Sequence, residues 1–203
     1  MDTQMLISIP ALLIAITFHE LSHGYMSYLL GDPTAKQEGR LTLNPIKHLD
    51  PIGALGLLFF HFGWAKPVPI NPFYYKNRKL GIVLVSIAGP MANFILALIT
   101  TLIIKGILMA NMVTANTLVF DFLGILVMYN LSLGIFNLIP LPPLDGSKIV
   151  ASLLPEKYEM WAYQNERYFM LALFALMYFG VISKIMDPFL NSAIDLVYAI
   201  LLS

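Results

Sequence analysis

The chain has 203 residues and no cysteine, so disulfides and thiolate metal sites are excluded. Charge is nearly as scarce. Lys, Arg, Asp and Glu make up 12% of the residues, against about 25% in an average soluble domain. The twelve basic and twelve acidic residues cancel, which gives no sign of a nucleic-acid partner. Histidine is rare too, with four in the chain. Any transition-metal site must draw on those four and on Asp and Glu. The start of the chain lacks a basic n-region and a small-x-small cleavage site, so the apolar run from Leu6 does not read as a signal peptide.

What remains is apolar. Hydrophobic residues make up 58% of the chain and the mean hydropathy is +0.75. This composition predicts an all-α integral membrane protein of about five transmembrane helices set in the lipid bilayer. One membrane-embedded domain is expected over residues 1–203, with its core at 5–155 and C-terminal helices over 160–203. The first span reads as residues 5–30 and ends at Gly31-Asp32-Pro33. The second and third read as 80–104 and 118–139, joined by a short loop over 105–117. Residues 147–167 are amphipathic and partly charged. Two further apolar runs, 168–183 and 187–203, are each short for a full crossing and read as two tilted helices or one hairpin.

A polar stretch, 31–79, separates the first two spans. Arg40 to Asn44 alternates apolar and polar residues before Pro45, which predicts a short strand and a turn. Leu49 to Phe62 is apolar but carries Pro51, Gly53 and Gly56, and reads as a re-entrant or interfacial segment. Trp64 to Pro72 is expected to be extended, because Pro67, Pro69 and Pro72 preclude a helix. Pro67, Val68, Pro69 and Ile70 are candidate substrate-binding residues, as an edge for an incoming peptide. Trp64, Phe73, Tyr74 and Tyr75 resemble an interfacial aromatic belt. His48 and His61 read as hydrogen-bonded interfacial side chains rather than metal ligands.

The chemistry concentrates in Phe18-His19-Glu20-Leu21-Ser22-His23, inside the first span. On a helix, positions i and i+4 share a face about 6 Å apart along the axis, so both imidazoles can reach one metal ion. Glu20 projects beside that ion, where a general base must stand to take a proton from water. An ionisable side chain near the middle of a spanning helix costs roughly 2.5–3.5 kcal/mol on insertion scales. Three of them within five residues favour a metal site over two histidines bonded to neighbouring helices.

Two imidazoles need a third partner, since a catalytic zinc typically has three protein ligands. Asp145 lies in Leu141-Pro142-Pro143-Leu144-Asp145-Gly146, a turn made rigid by its prolines. It reads either as an N-cap for the segment from Ser147 or as the third ligand, and it is the best-placed carboxylate outside the first helix. Asn137 is a candidate for bonding a substrate carbonyl or a developing oxyanion, or else backbone freed by Pro140 and Pro142. Gly89-Pro90-Met91-Ala92-Asn93 in the second span is either a packing kink or a kink that opens room near the metal, and Asn93 is a further substrate-binding candidate.

Basic residues set the orientation. Residues 31–79 hold seven of the twelve Lys and Arg and 140–167 hold three more, with Lys105 and Lys184 left for the other side. The positive-inside rule then places both segments, and the metal motif near them, toward the cytoplasm, as in a multi-pass plasma-membrane protein.

Taken together, these residues resemble the site-2 protease family of intramembrane zinc metalloproteases. The match rests on His19-Glu20-Leu21-Ser22-His23, on Gly89-Pro90-Met91-Ala92-Asn93 and on Asn137 through Gly146, and covers roughly residues 5–155. Leu43-Asn44-Pro45 and Trp64 to Pro69 resemble its small prokaryotic branch. The resemblance implies one zinc per chain on His19, His23 and Asp145, Glu20 as catalytic base, and a membrane-protein substrate. The chain carries neither a PDZ domain nor a CBS pair, and the usual Asn-Pro-Asp-Gly-like turn reads Pro143-Leu144-Asp145-Gly146 here. Two other classes compete: a membrane zinc transporter or channel, which has no need of Glu20 between the histidines, and an inactive relative that binds membrane helices without cutting them.

Overall fold

The computed structural model describes residues 3–53, 56, 64–110 and 117–203, and every statement below concerns these. Helix α1 runs Thr3–Leu29, followed by the short α2, Thr34–Gln37. Next come α3, Arg78–Met109, and α4, Thr117–Asn137. The chain ends in α5, Asp145–Leu153, α6, Glu156–Gln164, α7, Glu166–Tyr178, and α8, Val181–Leu202. Four of these are long and apolar enough to cross a membrane: Leu6–Leu29, Arg78–Met109, Leu118–Asn137 and Val181–Leu202. The run at 168–183 forms the 13-residue α7 instead, short of the ~20 residues a crossing needs. Gly180, at φ 69, breaks α7 from α8.

Small residues let the first three long helices meet closely. Ala11 and Ala15 of α1 are fully buried, and the ring of Phe94 on α3 fills the space that a side chain at Gly134 of α4 would need. Helix α8 seals the far half through Leu190, Ala193, Ile194 and Val197, packed on Ala97, Ile104, Val127 and Leu131. Lys105 donates to Ser203 Oγ at 2.8 Å, so the C-terminal ends of α3 and α8 lie together. At the opposite end, Arg78 pairs with Glu159 and Lys79 donates to the Leu154 carbonyl. Those bonds put the start of α3, the polar stretch before it and helices α5–α6 at one end of the bundle.

That polar stretch is irregular. The expected strand at Arg40–Asn44 does not form, because the local bonds compete with a ladder. The Arg40 N–H turns back to the Ala35 carbonyl, and the Asn44 side chain accepts from Ile46 N–H to cap a 3₁₀ turn over Pro45–His48. The one extended pairing among the described residues is an isolated antiparallel bridge between Leu49 and Ala65. His61 and most of the expected re-entrant segment lie outside the described residues. His48 is fully buried and donates through Nε2 to the Thr42 carbonyl, so it braces this loop from inside rather than at an interface. Tyr75 also leaves the expected belt. It is 7% exposed, against 88% for Phe73, and its ring lies over Gly81, where a Cβ would approach to 2.3 Å.

One carboxylate ties this region together. Asp32, fully buried just past the end of α1, accepts from Ser27 Oγ at 2.7 Å, from the N–H and hydroxyl of Thr34, and from the Asn71 N–H at 2.7 Å. Tyr75 donates in turn to Ser27 Oγ. Burial pushes the Asp32 carboxyl up, but the bonds from Asn71, Thr34 and Ser27 outweigh it and hold the group below its ordinary value. The ionised form thus stabilises the fold above the unfolded pKa, about 3.9, and that contribution is lost as pH falls through the lower folded value. Asp32→Asn is expected to cost about 1–3 kcal/mol at pH 7, the scale of a charged hydrogen bond lost in a buried site. Unfolding in detergent across pH checks this: the gap between wild type and variant should be level at neutral pH and shrink in acid.

Candidate metal centre

The helical period sets His19 and His23 one turn apart on α1, facing α3. Asp145 comes from elsewhere. Leu144 takes the N-cap position of α5 and Asp145 is the first helical residue, so its carboxylate is not spent on a cap. It is aimed at the histidines. The three residues are 4–6% exposed. Their ligand atoms form a nearly equilateral triangle: His19 Nε2 to His23 Nε2 3.0 Å, His19 Nε2 to Asp145 Oδ2 3.2 Å, and His23 Nε2 to Asp145 Oδ2 3.0 Å.

The other ring nitrogens decide the tautomers. His19 Nδ1 lies 2.6 Å from Asn93 Oδ1, and His23 Nδ1 lies 2.7 Å from the Val85 carbonyl oxygen. Both partner atoms only accept, so both Nδ1 atoms carry a proton, and in the neutral rings both Nε2 atoms present lone pairs to the centre. Asn93 is itself oriented by donating through Nδ2 to the Ala15 carbonyl and to Asn130 Oδ1, while Asn130 donates to the Leu126 carbonyl. A polar chain therefore runs from α1 through α3 into α4. Asp145 Oδ1 accepts from Lys148 at 2.9 Å, which leaves Oδ2, a buried atom without a hydrogen-bond partner, turned inward.

Three acceptor atoms packed this closely repel unless a cation stands among them. Donor atoms about 2.0–2.1 Å from a tetrahedral zinc sit about 3.3 Å from one another, close to the triangle measured here. The donor set, its spacing and the orphaned oxygen all fit zinc. Gly89 of α3 supplies the room. A Cβ there would lie 2.4 Å from His23 Nε2 and 2.7 Å from His19 Cε1.

The remaining expectations separate. Glu20 is half-buried, and its Oε2 accepts from the Val68 N–H at 2.9 Å. Asn93 is fully buried, and its amide is bonded to His19, Ala15 and Asn130 rather than turned to open space. Asn137 stands outside the ligand set and donates to Leu133 one turn back on its own helix, not to backbone freed by the prolines. Residues 67–70 lie beside Glu20 with part of their backbone already bonded. Pro67 and Pro69 have no N–H, the Val68 N–H is taken by Glu20, and the Pro67 carbonyl is taken by Arg40. Asn130 and Lys148 escaped the sequence reading, although an Asn inside an apolar span and a Lys one turn after Asp145 were visible signals.

Replacing Gly89 by Ala separates fold from site. The substitution favours helix formation by about 0.8–1 kcal/mol, yet its methyl group occupies the space between the imidazoles. Elemental analysis of the purified variant should find zinc far below one per chain while its helical content is unchanged.

Comparison with known proteins supplies the lineage. The profile of Peptidase family M50 matches residues 105–180, which include the Asp145 turn. "Putative zinc metalloprotease YwhC" of Bacillus subtilis (strain 168) is 42% identical over 187 residues, covering 91% of this chain and 85% of that protein. "Putative zinc metalloprotease Rip2" of Mycolicibacterium smegmatis is 30% identical over 140 residues, or 66% of this chain and 52% of the relative. "Zinc metalloprotease MJ0392" of Methanocaldococcus jannaschii is 29% identical over 147 residues, or 72% and 34%. No solved structure matches. With this identity over most of both chains, on a helical scaffold of four apolar spans, the chain belongs to peptidase family M50, the site-2 protease family of zinc metalloproteases.

Proposed function

We propose that the protein is a zinc metalloendopeptidase that cuts a peptide bond within or near a transmembrane segment of another membrane protein. The observation that carries this reading is the buried triangle of His19 Nε2, His23 Nε2 and Asp145 Oδ2, built on a helix apolar enough to span, with Glu20 next to the first ligand. Zinc held there supplies a Lewis acid that polarises a carbonyl and lowers the pKa of water toward ~7. The chain's own residues do the rest. Asn93 and the Val85 carbonyl fix the imidazoles, and Lys148 fixes the carboxylate. The Glu20 carboxylate takes the proton of the attacking water and returns it to the leaving amine.

A substrate helix hides its peptide bonds in its own hydrogen bonds, so it must unwind locally before it is cut. Water has to arrive through polar groups, and the bundle end that holds the described part of residues 31–77 and α5–α6 offers them. The concentration of Lys and Arg in these segments supports a cytoplasmic position for that end. In this reading the four described spans bring the shorter apolar helix α7 and Lys184, near the start of α8, to the cytoplasmic end, although the pattern of basic residues had left Lys184 for the other side.

Two substitutions test the reading. Glu20→Gln should retain about one zinc per chain and lose cleavage by about 10²-fold or more, the scale of a missing general base. Asp145→Ala should lose both zinc and cleavage. A Glu20→Gln variant that still cuts at the wild-type rate would remove Glu20 from the mechanism, and an Asp145→Ala variant that keeps its zinc would move the third ligand elsewhere.

A further inference from the structure

Arg40 is 4% exposed, an expensive location for a permanent cation, and its buried Nε has no hydrogen-bond partner, so what holds it falls to the two Nη groups. Its guanidinium forks onto two successive carbonyls, Nη2 to Lys66 at 2.7 Å and Nη1 to Pro67 at 3.1 Å. The Pro67 carbonyl belongs to the same peptide unit as the Val68 N–H, and in a trans peptide the two point in opposite directions. One face of that unit is held by Arg40 and the other donates to Glu20 Oε2. A buried cation and the proposed base are thus joined through a single peptide plane.

The surrounding sequence leaves this contact few alternatives. Pro67 and Pro69 make Val68 the sole backbone donor between Lys66 and Ile70. Gly24, one turn along α1 from Glu20, makes room for the Val68 side chain, since a Cβ there would lie 2.9 Å from Val68 Cγ1. Beyond Val68 the segment is pinned again by Asp32 on the Asn71 N–H. Before it, the Lys66 N–H is held by the His48 carbonyl.

We propose that Arg40 is a positioning residue for proteolysis: by clamping the Lys66 and Pro67 carbonyls it aims the Val68 N–H at Glu20 and fixes the orientation of the carboxylate beside the metal ligands. The proposal rests on the reading of Glu20 as the base. It assigns the peptide unit between Pro67 and Val68 to holding the enzyme's own machinery. A planar fork bonded to two carbonyls orders the peptide unit in a way that a lysine, a point charge on a flexible stem, does not.

The experiment uses the full-length zinc-loaded protein in detergent, wild type and Arg40→Ala, with two readouts. The first is hydrogen–deuterium exchange of the fragment carrying the amides of Lys66, Val68, Ile70 and Asn71. The second is steady-state cleavage of β-casein, an unfolded probe that needs no helix unwinding. Arg40→Ala is expected to keep about one zinc per chain, to speed exchange in that fragment about tenfold or more, and to lower kcat by a similar factor with KM within about twofold. Unchanged exchange and kcat would overturn the proposal, and so would a raised KM with kcat intact, which would return the segment to substrate binding. Where Arg40→Ala loses its zinc, Arg40→Lys decides. Zinc retained with faster exchange supports the clamp. Zinc retained with wild-type exchange overturns it, as does loss of zinc in both variants, which would assign Arg40 to the fold at large. Failure of the base itself reads differently: Glu20→Gln would still cut casein while the exchange result for Arg40 stood.

Discussion

Three ligand atoms meet about 3 Å apart in the buried centre, and most of the structure follows from making that meeting possible. The imidazoles converge because each has its far nitrogen tied to a group that can only accept. Those acceptors sit on α3, so α3 must press close to α1, and it does so where Gly89 presents no side chain. Asp145 must arrive from beyond α4, and the tight turn over 138–146 delivers it. Gly146 lies so near the Leu138 carbonyl that a Cβ would approach to 2.2 Å. Packing, tautomer and turn all serve one convergence.

The polar groups around the centre are linked rather than scattered. Asn93 and Asn130 carry the constraint from His19 into α4, and Lys148 carries it from Asp145 along α5. In an apolar surrounding, each unmet donor or acceptor costs more than it would in water, so each bond of this network counts for more there. The same logic governs the bundle's polar end, where Asp32 gathers four donors and Arg40 two carbonyls. The described part of the polar stretch before α3 has little regular secondary structure, and side chains supply the order that a sheet or helix would otherwise give.

The parts of the site legible in the sequence are those with local geometry. His19, Glu20 and His23 announce themselves because the helix period alone brings the histidines together, and Asp145 because prolines and a glycine bracket it. Asn93 was visible but its role was not, since nothing in the chain tells a residue that faces substrate from one that faces His19, 74 positions away. The contact between Val68 and Glu20 was hidden more deeply. Its donor is a backbone N–H, which every residue but proline possesses, so no side chain signals it. The alternation at Arg40–Asn44 misled for a physical reason: Asn44 and Pro45 favour a capped turn, and that local choice outcompetes a strand with no neighbour to pair with.

Helix α3 also acts as a ruler. It is 32 residues long, and Gly89 stands eleven positions after Arg78, where the helix begins. At 1.5 Å per residue that is about 17 Å along the axis, about half of the ~30 Å that a hydrocarbon core measures. A helix laid alongside α3 would bring to the metal's level a residue roughly as far from its own loop-side end. The spacing between a glycine and the start of its helix would then set how much of a cleaved protein stays in the bilayer and how much is released.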